Sequence, residues 1–259
     1  MYREKAFRRR YYRAAEAAAV RLSDAIIADA QGIADYYAQE FSAPTELISY
    51  GAPRVPTRTD RLAELDLEAG GYYLVVARFE IENHIDVVVD GYTRSSARRP
   101  LVVVGSAPYA DEYTRRVESL ADARVRLLGG VWDQELLDQL YAGALVYYHG
   151  HSVGGTNPSL LRAIGAGAAV DAFDVSFNRE VLGDAGRYWT GADDVARLVA
   201  SAEADPAAQA ARGELSRERA ALYDWDEVAD RYEALCRELA ASGPRRDRPS
   251  GRRTGIAPS

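Results

Sequence analysis

From residue 72 onward, short apolar runs alternate with longer segments whose apolar positions recur every three or four residues. The runs YYLVVAR (72–78), PLVVVGSA (100–107), ARVRLLGG (123–130), ALVYYH (144–149), AAVDAF (168–173) and RYWT (187–190) are short and rich in β-branched and aromatic residues. They predict buried strands. Between them, residues 83–92, 110–121, 133–144, 157–167 and 178–183 predict helices, followed by helical segments over 195–204 and 209–240. The helix over 133–144 has acids in its first turn and Asp133 as its cap. Strands separated by helices of these lengths predict an α/β fold, a doubly wound parallel sheet of the Rossmann-like kind. In such sheets ligands bind beyond the carboxyl ends of the strands.

The beginning of the chain reads differently. Residues 1–41 suggest helix, with Ala18, Leu22, Ala25 and Ile26 near helical spacing. Within that span DAIIADA (24–30) also fits a buried strand, with a second helix after it from Gln31 to Phe41. TELISYGAP (45–53) predicts a strand ending in a Gly-Ala-Pro turn. Strand–helix–strand without neighbouring strands is an incomplete layer, because a parallel sheet is covered on both faces. The expected organisation is a remnant of a second Rossmann-like domain over 1–56, a Pro/Arg/Asp-rich linker over 57–70, and a ligand-binding domain over 71–222. A crossing helix over 223–241 and a disordered tail over 242–259 complete it.

Composition narrows the function classes. Of 259 residues, 47% are hydrophobic and 27% charged, ordinary for a globular protein with a sizeable core. A formal net charge of −7 argues against a nucleic-acid partner, whose electrostatic footprint would be basic. One cysteine, Cys236, permits no internal disulfide and fits a cytoplasmic protein; its helical setting predicts burial. No apolar run reaches the roughly 20 residues that span a bilayer. The basic start YREKAFRRRYYR (2–13) is read either as a solvated helix face or as peripheral contact with an anionic membrane.

Candidate chemistry concentrates in HGHSVGGTNPSLLRAIGAG (149–167). The chain leaves a strand, crosses a glycine-rich loop and enters a helix with Pro158 in its first turn. The N–H groups of such an entrance are unpaired and carry partial positive charge, which suits a phosphate. Gly154 and Gly155 let the backbone approach a ligand, and Thr156 and Asn157 stand at the entrance, Asn157 also fitting a cap. His149 and His151 fall on one side of an extended chain. They are read as packed histidines or as hydrogen-bond partners for sugar hydroxyls or phosphate. No Cys or carboxylate cluster accompanies them, so no metal is expected. Asn178, Arg179 and Glu180 open a later helix whose free N–H groups would face a sugar or phosphate, unless Asn178 merely caps it.

HGHSVGGTNPSLL, followed by FDVSFNREVLGDAGRYW (173–189), resembles the donor-site signature of family-4 bacterial glycosyltransferases of the GT-B fold. The similarity is to rhamnosyltransferase-like members that build surface polysaccharides, and it runs from about Arg13 to Leu239. The resemblance implies the carboxy-terminal, donor-binding half of such an enzyme, with the acceptor-binding half largely missing. It implies transfer of a sugar, rhamnose from dTDP-rhamnose, to a glycan or lipid-linked acceptor with retention of configuration, and no cofactor beyond that nucleotide-sugar donor. Arg78 takes the place of the basic residue that grips the diphosphate, its alternative being a surface arginine. Asn83 stands where a lysine often follows, and Glu80 and Glu82 make that loop acidic. Gly129, Gly130 and Val131 match the place where the base is sandwiched. Gly154 and Arg162 occupy the positions of two glutamates spaced E-x7-E. Arg162 thus reads either as a substitute phosphate or sugar contact or as a solvent-facing arginine. The helix near Trp225 resembles the family's final crossing helix, with the tryptophan as a buried anchor. These departures leave a second expectation open, a nucleotide-sugar-binding module without catalysis or a truncated product.

Overall fold

The computed structural model describes residues 2–106, 111–243 and 249–254. It divides into two units, Met1–Ser49 with Asp226–Ser259, and Tyr50–Trp225.

In the first unit the ambiguous run over 24–30 resolves as strand. A helix α1 (Tyr2–Leu22) stops short of it, and Ile27–Ala28 forms β1. After α2 (Gln31–Phe41), β2 (Glu46–Leu47) lies parallel to β1. Tertiary pairing outweighs helical propensity here: Glu46 N donates to Ile26 O at 2.8 Å and Ile48 N to Ala28 O at 2.9 Å. Val20, Phe41 and Ala43 make a small core.

The second unit opens with the stretch expected to be a linker, and that expectation is corrected. A 3₁₀ turn over Leu62–Leu65 lies within it, and Leu62 and Leu67 belong to the core. Gln139 Oε1 accepts from Arg61 N at 2.7 Å. Two leucines in a polar run are enough to fasten it.

Beyond it follow β3 (Tyr73–Val76), α3 (Ile85–Arg94), β4 (Leu101–Val104), α4 (Asp111–Leu120) and β5 (Val125–Gly129). Then come α5 (Gln134–Gly143), β6 (Val146–His149), α6 (Pro158–Gly165), β7 (Val170–Phe173), α7 (Ser176–Leu182) and β8 (Gly186–Trp189). Two helices, α8 (Ala192–Ala204) and α9 (Pro206–Ala220), follow. The end of the expected strand run at Ala107 and the start of the expected helix at Ala110 lie outside the described residues.

The strands form one parallel sheet in the order β5-β4-β3-β6-β7-β8. The alternation rule holds on each strand: Tyr73 and Val75 enter one core, Leu74 the opposite one. The interior is rich in tyrosine, and two of its buried phenols find backbone acceptors, Tyr72 at Leu140 O (2.6 Å) and Tyr92 at Arg99 O (2.7 Å). Strand order reverses between β3 and β6, and the helices after them pack on opposite faces, α3 into one core and α6 into the other, which marks the sheet's carboxyl edge there as a place for a ligand.

Four expectations near the carboxy terminus need correction. The helix over 209–240 breaks, and a separate α10 spans Trp225–Ser242. At the break the Tyr223 carbonyl accepts from Ala52 N at 2.6 Å, a tertiary bond in place of a helical one. Trp225 is half exposed, its ring lying against Gly51, so it is not a buried anchor. Cys236 is exposed, because α10 buries little besides Val228. Part of the tail expected to be disordered is held as well: Arg253 pairs with Glu16 at 2.5 Å and Glu40 at 2.7 Å. Residues 244–248 and 255–259 of that tail lie outside the described residues. Among the described residues no helix is long and apolar enough to cross a membrane.

Candidate functional site

A cavity of about 320 Å³ opens at the carboxyl edge of the sheet, where the strand order reverses. Its wall draws on the loop after β3 (Arg78, Asn83), the end of β4 (Gly105, Ser106), the loop after β5 (Gly130, Val131, Trp132) and the segment from β6 into α6 (His149, His151, Asn157, Ser159). Residues more than 80 positions apart thus converge because each ends a neighbouring parallel strand.

The two central loops are buckled together. Ser152 N donates to Glu82 O at 3.0 Å, and the Ser152 hydroxyl donates to the same carbonyl at 3.1 Å. His84 Nδ1 lies 2.8 Å from Gly150 O and donates to it, and the His84 ring stacks on Phe173 at 4.3 Å. Contact between the loops is so close that a Cβ on Gly150 would sit 2.0 Å from Asn83 O. Gly105 meets the same constraint at the next strand, 1.8 Å from Ala77 O with φ at +144°.

Arg78 is exposed at this edge and lines the cavity, and its guanidinium makes no ion pair or hydrogen bond with the described residues. A fork of donors with no protein partner is suited to bidentate phosphate contact. Asn83 has a different task from the expected one. It is buried, its Nδ2 donates to Arg78 O at 2.8 Å, and its Oδ1 receives His151 Nδ1–H at 2.9 Å. Its side chain is committed to protein partners, so it positions its neighbours.

His149 is buried, with Nδ1 3.1 Å from the Tyr147 hydroxyl and Nε2 without a protein partner. Burial, with a smaller push from His151, lowers its pKa to about 3, so its ring is neutral. The unfolded chain takes up a proton on this ring below about 6.5, and the folded chain does not until about 3. Stability is therefore undiminished above pH 6.5 and falls as pH drops toward 3, with a slope of up to about 1.4 kcal/mol per pH unit from this group. Denaturant titrations between pH 7 and 4.5 should show that slope reduced in His149→Gln.

Behind His149 the Tyr147 hydroxyl lies 3.0 Å from Ser159 Oγ, which donates to Val76 O at 3.1 Å and meets Tyr141 Oη at 2.5 Å. This network ties β3, β6, α5 and α6 together under the cavity floor. Sequence reading missed Tyr147 and Ser159 because both look like ordinary strand and helix residues.

The entrance to α6 offers fewer free amides than its sequence implied. Pro158 has no N–H, and Asn157 Oδ1 accepts from Ser159 N at 2.9 Å. Asn157 itself lines the cavity, whereas Gly154, Gly155 and Thr156 arch beside it; Gly154 has φ +105° and Thr156 is buried. Arg162 turns from the cavity to an ion pair with Asp138 on α5. Asn178 does not cap α7, where Val175 holds that position. Fully buried, it donates to His151 O at 3.0 Å and Phe173 O at 2.9 Å, bracing the histidine loop against β7. Glu180 is not among the lining residues; its carbonyl accepts from Arg219 at 2.6 Å.

Of the three base-site residues, Gly130 and Val131 line the cavity, while Gly129 turns the chain with φ +70°. The residue after them had gone unnoticed. Trp132 is 92% exposed yet lies over Gly130 at the cavity rim. Only its position directly after the glycine pair could have singled it out. Among the described residues no group of three or more His, Cys, Asp or Glu side chains is placed to hold a metal.

No protein-family model matches the chain. Over 118 residues it is 29% identical to the UDP-N-acetylglucosamine–peptide N-acetylglucosaminyltransferase GtfA subunit of Streptococcus gordonii, covering 44% of this chain and 22% of that protein. Among solved structures it is similar to sucrose-phosphate synthase from Thermosynechococcus elongatus (TM-score 0.78, 24% identity, 88% of this chain and 61% of that one). It is also similar to Anabaena HepE in complex with UDP (TM-score 0.74, 16% identity, 85% and 65%). A third is the pneumococcal O-GlcNAc transferase GtfA in complex with UDP and GlcNAc (TM-score 0.64, 16% identity, 84% and 45%). The chain spans less than two thirds of each of these proteins. The shared feature is the fold, the Rossmann-like parallel sheet of GT-B glycosyltransferases.

Proposed function

We propose that this chain binds a nucleoside-diphosphate sugar in the cavity at the strand reversal and serves as the donor-binding half of a glycosyltransferase. The observation that carries the reading is Arg78, an unpaired guanidinium on the wall of a cavity that also holds an exposed indole and a helix entrance. Arg78 takes the diphosphate, with the positive end of the α6 dipole beside it. Trp132 stacks on the base. In sugar transfer the departing diphosphate gains negative charge, and a guanidinium beside it stabilises that charge. The buried imidazole of His149 lines the same cavity, its Nε2 enclosed and without a hydrogen-bond partner among the described residues.

The fold similarity and the UDP bound by HepE and GtfA support a nucleotide-sugar donor. Sequence resemblance to rhamnosyltransferases supports the finer reading: dTDP-rhamnose as donor, retention of configuration, and a glycan or lipid-linked acceptor in surface polysaccharide synthesis at the cytoplasmic side of a membrane. A second reading, donor binding without transfer, is favoured by Arg162, which stands at the second position of the resemblance's glutamate pair and turns to an ion pair with Asp138.

Calorimetry with UDP-glucose, UDP-N-acetylglucosamine and dTDP-rhamnose tests the site, and heat from none of them overturns it. Release of UDP or dTDP in the presence of an acceptor glycan separates transferase from binding module. Trp132→Ala should weaken binding of the preferred donor by about 1–2 kcal/mol, roughly tenfold, as loss of one base–aromatic stack does. An unchanged affinity would place the base elsewhere.

A further inference from the structure

The histidine that the two buckled loops hold between them has one ring nitrogen committed and one open. Asn83 cannot be turned around, since its Nδ2 donates to Arg78 O at 2.8 Å and its flipped form would set two oxygens against each other. Its Oδ1 therefore faces His151, and Nδ1 of His151 carries the proton that bridges the 2.9 Å between them. Neutral His151 is left with a lone pair on Nε2, directed toward Gly154 at the loop's outer turn; that nitrogen lies 3.8 Å from where a Cβ of Gly154 would be. Such a nitrogen repels phosphate oxygen while neutral and donates to it once protonated.

The groups around the ring pull in both directions, and the neutral form is favoured. Half-burial holds the ring neutral, and the nearby charges of Arg78 and His84 act in the same direction. The backbone at Val153 and the Glu82 carboxylate favour the charged form. His149, packed 6.2 Å away from the other side, is neutral. Of the opposing influences, the field of Arg78 is one that a bound diphosphate would cancel, and the anion would add its own attraction.

Building on the donor-site reading above, we infer that His151 takes up one proton from solvent when a nucleoside-diphosphate sugar binds, Nδ1–H staying on Asn83 and the new Nε2–H facing the diphosphate. Asn83 is then a positioning residue, and His151 supplies the second cation that the amide at position 83 does not. Donor affinity becomes pH-dependent by linkage, strongest where His151 is readily protonated and falling as pH rises.

The test uses nucleotide sugars whose diphosphate is esterified at both ends and does not itself ionise near neutrality. Binding of UDP-glucose and of dTDP-glucose is measured by calorimetry at pH 7 in buffers of different ionisation enthalpy. For whichever binds, the slope against buffer enthalpy should give uptake of about half to one proton per site, and affinity should fall up to about tenfold per unit of rising pH between 6.5 and 8. In His151→Gln both effects should vanish while weaker binding persists. The chain has three histidines, so imidazole proton resonances offer a second measurement on the unaltered protein. One resonance, missing in His151→Gln, should titrate at least about one unit higher when donor saturates the site. Binding with buffer-independent heat and an unmoved His151 resonance overturns the inference and leaves the donor site standing. Absence of binding by both sugars removes the donor site and the inference together.

Discussion

Arg78→Ala should weaken nucleotide-sugar binding by about 30- to 150-fold, equivalent to about 2–3 kcal/mol for the loss of a charge-assisted bidentate contact. Its thermal midpoint should stay within about 2 °C of the wild type, because surface side chains without partners contribute little to stability. The asymmetry follows from the structure: this guanidinium is exposed and holds no other described residue by an ion pair or hydrogen bond. Arg212 is the contrasting case: largely buried, it shares the fully buried Asp171 with Arg187, and an alanine would remove one of that carboxylate's two guanidinium partners. Arg78→Lys keeps the charge without the fork and should recover part of the affinity, to within about tenfold of wild type. Calorimetry with the preferred donor, beside a thermal melt of each variant, decides it. Equal affinity in Arg78→Ala would move the diphosphate away from this loop.

The layered sheet was legible because its strands carry apolar residues on both faces. Tyr73, Leu74 and Val75 need cover from above and below, and only helices between parallel strands supply it. What was hard to read shares a different cause. The segment over 24–30 has apolar spacing compatible with helix and strand, and its state is decided by the bonds from Glu46 and Ile48, outside any local window. Leu62 and Leu67 bury a polar-looking stretch through contacts that composition does not reveal. At the site, His149 and the Asn157 entrance could be named as candidates from a strand end and helix signals, and Arg78 from the family resemblance. The function of Asn83 could not. Its partner His151 lies 68 positions away, and only folding brings the two polar atoms to 2.9 Å. Arg162 illustrates the converse, since a promising position is turned away by one carboxylate on a neighbouring helix.

Gly150→Ala should do more harm than any single side-chain removal along the cavity wall. A methyl group there meets Asn83 O at 2.0 Å and the His84 side chain at 3.4 Å, and backbone cannot yield as a flexible side chain does. The loops must part by an ångström or more, which breaks the bonds from Ser152 to Glu82, from His84 to Gly150 and from His151 to Asn83. The expected cost is about 2–4 kcal/mol, in the range of overpacking combined with lost buried hydrogen bonds. For a unit of this size that lowers the thermal midpoint by about 4–16 °C. Donor affinity should fall at least about tenfold, since Arg78 and His151 no longer face the cavity from fixed positions. The same displacement uncouples His151 from Asn83, so adding His151→Gln to Gly150→Ala should weaken binding far less than it does in the wild type. Full additivity in that double-mutant cycle would mean that the buckle between the two loops has no part in holding the imidazole.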